Sequence, residues 1–138
     1  MRIVGVTDDH YKHIPYYVKT PSSRGLVAES DEGKIYIICI LDSWTAGSVQ
    51  MHITVFSPIG FKNYTFINEV FTFAFITADR LTAILVIGED NVKAINLANR
   101  LGFKELAHIG DGHAPGVDSV LYEMRKADCK WLKRKCNG

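Results

Sequence analysis

His52 is the residue of this 138-residue chain that is best placed to move a proton. It stands in the run Ser48 to Phe56, whose alternating side chains are typical of a strand with two different faces. An imidazole with an ordinary pKa of ~6.5 is largely neutral at physiological pH, so it can act as a general base. The alternative is a histidine at the sheet surface or hydrogen-bonded in the core. Glu29 and Asp118, at strand ends, are weaker candidates for the same role.

A second feature is the stretch NVKAINLANRLGF, from Asn91 to Phe103. Asp90 and Asn91 are good N-cap residues, because their short side chains can accept from the free amides of a first helical turn. Apolar residues then recur at helical spacing, and Gly102 suits the left-handed conformation that ends many helices. The apolar run Thr82 to Ile87 before it indicates a strand covered on both faces. The sequence predicts a strand, a capped helix and a further strand.

The rest of the chain predicts short strands and two more helices, with a hairpin turn at Asp31-Glu32-Gly33. The mostly buried helix at 64–77 has its phenylalanines on one broad stripe. We expect a strand at 3–6, a short helix within 10–19 that Pro15 interrupts, a meander of strands at 25–30, 34–41 and 48–56, and strands at 103–109 and 118–125 joined by a loop at 110–116.

The composition is that of a soluble globular protein. Hydrophobic residues make up 47%, and 16 basic against 15 acidic residues leave a net charge of +1, so no partner such as nucleic acid or an anionic membrane is expected. The three cysteines and the five histidines show no metal spacing, so we expect no metal site and a reducing, cytoplasmic compartment. We expect one domain at 1–126 and a basic tail at 127–138.

Asn91, with Ala94 three residues later and the Leu-Gly-Phe ending, resembles the second half of the acyl-coenzyme A site of the GNAT (GCN5-related N-acetyltransferase) superfamily. The predicted order of strands and helices is also similar to that superfamily. From about Leu26 to Leu132, the segments LDSWTAGSVQMHITVFSP and DGHAPGVDSVLYEMRKADCKWL resemble a group of short GNAT-like proteins associated with bacteriophages and prophages. The expected fold is therefore a GNAT-like α/β domain with a mixed, mostly antiparallel sheet of about seven strands.

The resemblance implies transfer of an acetyl group from acetyl-coenzyme A to a primary amine of an unidentified small molecule or protein, in the host cytoplasm if the gene belongs to a phage. The cofactor would enter where the parallel fourth and fifth strands splay, against the start of the helix at Asn91. Amides near Val55 and Phe56 would stabilise the oxyanion. The loop SPIGFKNYT keeps one glycine of the family's pyrophosphate-binding pattern and no arginine. The expected cofactor-binding residues are Val55, Phe56, Gly60, Phe61, Lys62, Asn63, Tyr64, Asn91 and Ala94.

Many GNAT enzymes carry a tyrosine acid seven residues after the motif asparagine, where this chain has Ala98. Tyr122 is the candidate replacement, and Tyr64 is a second. The residues expected to line the acceptor pocket are Glu29, Trp44, Gln50, Asp111 and His113. Two alternatives remain: a catalytically silent GNAT fold that binds coenzyme A or a protein partner, and an enzyme that moves another acyl group. A homodimer is also consistent with the resemblance.

Overall fold

The computed structural model describes residues 1–59 and 64–132 and contains a seven-stranded mixed sheet. The sheet order is β1-β2-β3-β4-β5-β7-β6. The strands are β1 Arg2–Gly5, β2 Arg24–Glu29, β3 Ile35–Asp42, β4 Ser48–Val55, β5 Thr82–Gly88, β6 Lys104–Ala114 and β7 Val117–Arg125. The helices are α1 Asp8–Tyr11, α2 Tyr64–Thr72, which continues as a π-helical segment Phe73–Thr77, and α3 Val92–Leu101. The predicted α/β order of elements is confirmed.

β2, β3 and β4 form the predicted antiparallel meander, and β1 pairs antiparallel with β2. In the turn after β2, Ser30 N donates to Lys34 O at 2.8 Å, and Gly33 has a φ of 91°. A residue without Cβ adopts that conformation at no steric cost, so the turn ends β2 sharply. The register of the next pair places Ile40 of β3 opposite His52 of β4.

β4 and β5 run parallel but pair over a short length. Their register covers Ser48 with Thr82, Val49 with Ala83, and Gln50 with Ile84. β4 continues to Val55 and β5 to Gly88, so the two strands part beyond the third pair. The expected splay is therefore present, and the backbone groups of β4 in this part have no strand partner on the β5 side.

The main core lies between the sheet and the helices α2 and α3. Phe71 is 1% exposed and stacks on Phe75 with ring centroids 5.9 Å apart. The ring centroid of Phe103 lies 6.1 Å from that of Phe71. A smaller cluster on the opposite face packs residues 14–17 onto β2 and β3. Its buried members are Ile14, Val27, Ile38 and Ile40.

The structure corrects three sequence predictions. The helix expected within 10–19 is limited to Asp8–Tyr11, and the chain then crosses the sheet as an irregular segment because Pro15 cannot continue a helix. The loop expected at 110–116 is mostly strand, because β6 continues through an irregular register to Ala114. β5 is covered on its helix side alone, and Val86 on the other face is 41% exposed.

The segment predicted as a basic tail begins inside the folded domain. Cys129 and Trp131 are 3% and 4% exposed. Trp131 Nε1 donates to Leu101 O at 2.9 Å, and Asn68 Nδ2 donates to Trp131 O at 2.7 Å. The packed domain therefore continues through Leu132. Across residues 1–59 and 64–132, no helix has the length and apolar character needed to span a membrane.

Replacing Trp131 tests this boundary. We expect Trp131→Ala to lower the free energy of unfolding by about 3–5 kcal/mol, because it removes a large buried side chain from between α2 and α3. Urea denaturation of both variants checks the value, with Trp44→Ala as the matched control, since Trp44 is a half-buried tryptophan in the β3–β4 turn. Equal losses in the two variants would contradict the assignment of Trp131 to the core.

Candidate active site

The splay between β4 and β5 opens into a cleft of about 540 Å³. One wall is the end of β4 with the residues that follow it, and the other is the exposed side of α3. Tyr16, from the irregular segment after α1, lies at the cleft as well. The lining residues are Tyr16, Ile53, Thr54, Val55, Phe56, Ser57, Pro58, Asn91, Lys93, Ala94, Asn96, Leu97 and Arg100.

The cleft is suited to a ligand that carries negative charge. Asn91 caps α3, since its side-chain oxygen accepts from Ala94 N at 3.2 Å, so the positive end of the helix dipole lies at the cleft. Lys93 and Arg100 add two cationic side chains from the same helix. A chain of phosphates fits such a wall by charge.

The backbone of β4 presents Val55, and not Phe56, to the cleft. Phe56 N donates to Tyr36 O at 2.8 Å, which places this amide on the β3 side. Successive amides of a strand point in opposite directions, so the amide of Val55 points to the side where β5 has moved away. Of the two predicted oxyanion donors, the Phe56 amide is therefore already hydrogen-bonded and the Val55 amide points into the gap, so the role of Val55 stays a prediction.

A second cavity, of about 320 Å³, lies on the opposite face of β4 and contains His52. Tyr16 and Thr54 line both cavities, and the Tyr16 hydroxyl lies 2.6 Å from Thr54 Oγ1. The two cavities therefore share this pair as a common wall. The residues around the second cavity are Ile14, Tyr16, Tyr17, Val18, Asp42, His52 and Thr54.

His52 is held by a carboxylate in this second cavity. Its Nε2 lies 2.8 Å from Asp42 Oδ1, and a carboxylate can only accept, so Nε2 carries the hydrogen. In the neutral imidazole, Nδ1 is then the nitrogen with the free lone pair. The side chain of Asp42 is 10% exposed and that of His52 is 37% exposed. Such a pair can accept a proton and stabilise the resulting imidazolium.

Tyr17 holds the other oxygen of Asp42. Its hydroxyl donates to Asp42 Oδ2 at 2.7 Å and lies 2.7 Å from Ser23 Oγ, while its ring centroid is 5.1 Å from that of His52. Burial raises the pKa of Tyr17 to about 12, and the hydrogen bond to Asp42 also raises it. The phenol therefore stays protonated near neutral pH and keeps Asp42 oriented towards His52.

Tyr122, the predicted acid, lies in the main core. It is 2% exposed on the helix side of β7, opposite Leu85, and lines neither cavity. Burial raises its pKa, which makes proton release harder. The prediction of a catalytic Tyr122 is corrected, because an alternating strand buries this position.

Glu29 lies where β1 pairs with β2 and lines neither of the two cavities. Its carboxylate accepts from Arg2 Nη2 at 2.6 Å and from His10 Nε2 at 2.8 Å. Thr7 N donates to His10 Nδ1 at 2.9 Å, so the hydrogen of His10 is on Nε2. The arrangement ties α1 to the sheet edge and gives Glu29 a structural role.

Trp44 and Gln50 are also outside the lining of both cavities. Trp44 lies in the β3–β4 turn, where its Nε1 donates to Ser22 O at 2.9 Å and its ring packs against Phe73. Gln50 is on the same face of β4 as His52 and is paired in register with Asp42. The predicted contacts of Gln50 and Trp44 with the acceptor stay predictions.

The β6–β7 hairpin places Asp111 and His113 apart from each other. Asp111 Oδ1 accepts from Gly116 N at 2.7 Å and closes the turn. His113 lies against Gly88 at the end of β5, where a Cβ would meet its Cδ2 at 2.7 Å. Neither residue lines either of the two cavities described above, and their predicted contact with the acceptor stays a prediction.

The predicted pyrophosphate loop falls largely outside the described residues. Gly60, Phe61, Lys62 and Asn63 belong to that part of the chain, so their predicted role stays a prediction. Tyr64 begins α2 and stacks on Trp131 with ring centroids 5.6 Å apart. Val55, Phe56, Asn91 and Ala94 are brought together in the cleft, and their binding of a cofactor likewise remains a prediction.

One group of possible metal ligands lies at the hairpin. The ligand atoms of Glu89, His108 and Asp118 are within 4.8 Å of one another. Glu89 Oε1 accepts from Asp118 N, and Asp118 Oδ1 accepts from Asp111 N. Both carboxylates therefore already accept hydrogen bonds from backbone amides of the β6–β7 hairpin. We assign no metal to it.

Sequence reasoning missed Asp42, Tyr16, Tyr17, Lys93 and Arg100. Asp42 had a usable signal: the β3–β4 hairpin pairs Ile40 with His52, which puts Asp42 one diagonal step from His52 on the same face. The two tyrosines had none, since they come from an irregular segment whose path depends on packing.

The arrangement of strands, helices and splay is the GNAT acyltransferase fold. Among solved structures, a single-substitution mutant of the spermidine N-acetyltransferase SpeG from Vibrio cholerae is similar with a TM-score of 0.67 at 21% identity, covering 91% of this chain and 74% of that one. SpeG from Vibrio cholerae in complex with manganese ions is similar with a TM-score of 0.65 at 22% identity over the same shares. No protein-family model and no curated protein matches the chain. Identity at this level shows the shared fold.

The ion pair of Glu29 predicts an acid-sensitive contribution to stability. Hydrogen bonds from Arg2, and then from His10, lower the pKa of Glu29. A lowered folded-state pKa stabilises above the unfolded value of about 4.3 and is lost as pH falls through the folded value. Glu29→Gln should therefore destabilise the protein at about pH 7 and much less at about pH 3. Urea denaturation at both pH values, with exposed Glu32→Gln as control, checks this; a gap that stays constant would contradict it.

Proposed function

We propose that this protein is an N-acetyltransferase that transfers the acetyl group of acetyl-coenzyme A to a primary amine. The observation that carries the proposal is that two cavities of different character share the Tyr16–Thr54 pair as a wall, within a GNAT fold. One cavity is a cationic cleft at a helix N-terminus, and the other contains a histidine held by a buried carboxylate. A donor and an acceptor that approach from opposite faces of β4 would react beside Tyr16 and Thr54.

The cleft would hold the donor. Its phosphates are attracted by Lys93, Arg100 and the N-terminus of α3, while the small Ala94 leaves room for the pantetheine arm beside the helix. The amide of Val55 points into the splay and would donate to the thioester oxygen as negative charge develops on it. A preorganised donor of this kind commonly contributes about 10²–10³-fold to the rate.

The second cavity would hold the acceptor. An alkylammonium ion with a pKa of ~10.4 must lose a proton before it can attack. His52 accepts the proton from the amine at Nδ1, and Asp42, itself held by Tyr17, stabilises the imidazolium. The attacking nitrogen forms the bond to the acyl carbon, the carbon–sulfur bond breaks and the thiolate leaves. The second proton that the nitrogen loses protonates this thiolate. With an ordinary thiol pKa of ~8.5, this leaving group needs less help from an acid than an alkoxide does.

A catalytically silent GNAT fold is the second candidate, and one observation favours it. Ala98 is fully buried where the family carries its acid, and Tyr122 is in the core, so neither α3 nor β7 supplies a phenol to the cleft. Such a protein would bind coenzyme A or a protein partner without turnover. The phage-associated subgroup, the cytoplasmic location and the homodimer also stay predictions.

Donor binding is tested by thermal denaturation with acetyl-coenzyme A. Ligand at ~100 times Kd should stabilise the wild-type protein by about 2.7 kcal/mol. Ala94→Trp should abolish this shift, because the indole fills the cleft next to the capped start of α3. Ala46→Trp, in the exposed β3–β4 turn, is the matched control and should keep the shift. No stabilisation of the wild-type protein by any acyl-coenzyme A would refute the donor assignment.

The base is tested by amine acetylation. His52→Ala should lower kcat by about 10²–10⁴-fold while leaving the affinity for acetyl-coenzyme A unchanged. His108→Ala is the matched control, since His108 is an exposed histidine on β6 outside both cavities. Thiol release followed with an amine acceptor measures the rates. Unchanged turnover in His52→Ala would remove His52 from the mechanism, and absence of turnover in the wild-type protein with bound donor would favour the silent fold.

A further inference from the structure

The cavity around His52 has an uneven charge distribution. Among its described lining residues, Asp42 carries the negative charge near neutral pH, and its side chain is 10% exposed. The remaining walls are the aromatic rings of Tyr16 and Tyr17, the apolar side chains of Ile14 and Val18, and the hydroxyl of Thr54. None of the lining residues that the structure describes is a lysine or an arginine.

The cationic side chains of neighbouring segments line other cavities. Lys93 and Arg100 line the donor cleft on the other face of β4. Lys19 and Arg24 line a separate cavity beside Tyr11, where Lys19 Nζ is 2.8 Å from Asp8 Oδ1. An anionic group in the cavity of His52 would therefore find no cationic partner among its described walls.

This distribution discriminates between acceptors. A carboxylate next to the reacting amine would lose hydration in the cavity and be repelled by Asp42 at short range, where the effective dielectric is well below that of water. An ammonium or neutral substituent would be attracted by the same carboxylate and by the faces of Tyr16 and Tyr17. Repulsion of like charges is a usual way in which a site rejects a near-identical ligand.

We propose that the acceptor is a small primary amine without a carboxylate or other anionic group beside the amine, and that α-amino acids are rejected by charge. The inference rests on the proposed acetyl transfer and names the substrate class for it. An acceptor with an aliphatic stem or an aromatic ring fits the apolar and aromatic walls of the cavity. Asp42 orients the base His52 and also attracts or repels the charged groups of the acceptor.

Matched acceptors test the inference directly. Tyramine and tyrosine differ by the α-carboxylate, as do tryptamine and tryptophan, and tyrosinamide keeps the bulk of tyrosine without the charge of the carboxylate. With acetyl-coenzyme A as donor, we expect kcat/KM for tyramine and tyrosinamide to exceed that for tyrosine by at least about tenfold, and kcat/KM for tryptamine to exceed that for tryptophan similarly. Equal rates within both pairs would overturn this inference and leave the acetyl transfer standing. No transfer to any of these amines by protein that binds the donor would overturn both.

A charge placed in the cavity gives the complementary test. Val18 lines the cavity and is 79% exposed, so its substitution should be tolerated by the fold. Val18→Arg should raise kcat/KM for tyrosine relative to tyramine by about tenfold, because it supplies the missing cationic partner. Val18→Gln, of similar length and neutral, should leave the ratio unchanged. Equal changes in the two variants would show that charge does not set the preference and would overturn the inference.

Asp42→Asn separates the two effects of the carboxylate. The variant should slow acetylation of every acceptor, because His52 loses its charged partner, and it should also reduce the preference for tyramine over tyrosine. A purely structural role of Asp42 would lower both rates by the same factor and keep their ratio, which would count against the inference.

Discussion

The site depends on how briefly β4 and β5 pair. Three residue pairs hold the strands together, and beyond Gln50 and Ile84 the strands separate. A fully zipped pair would use the amides of β4 for the sheet and close the cleft. Because the strands part, the Val55 amide is left for a ligand and α3 begins beside the gap with its N-terminus exposed to it. The main core behind the gap, with α2 and α3, keeps the strands apart while the rest of the sheet remains paired.

Both faces of β4 contribute to the site. Odd-numbered residues such as Val55 face the helices and the cleft beside α3, and even-numbered residues such as His52 face the second cavity. The strand therefore works as a partition between two chemically different spaces, one with cationic side chains and one with a buried carboxylate. Tyr16 and Thr54 line both spaces, and the proposed reaction between two substrates needs them to approach each other beside this pair.

The antiparallel register of β3 and β4 determines the chemistry of the second cavity. It brings Asp42 within 2.8 Å of His52. The Asp42 carboxylate is buried, and it is compensated by hydrogen bonds from His52 and Tyr17, as a buried charge must be. A register shift of one residue would turn His52 to the helix side and break this network. The alternation of apolar and polar side chains along β4 opposes that shift, so packing and site geometry have the same origin.

The sequence by itself determined the order of the elements, the capped helix α3 with its glycine stop, and the placement of His52 on a two-faced strand, because these depend on local propensity and periodicity. It misassigned Tyr122 and Glu29, since burial and ion pairing with Arg2 come from distant segments. Tertiary structure alone decided the path of the irregular segment that delivers Tyr16 and Tyr17, the burial of Trp131, and the exposure of one face of β5. Contacts between residues far apart in the chain set all three, and no local pattern encodes them.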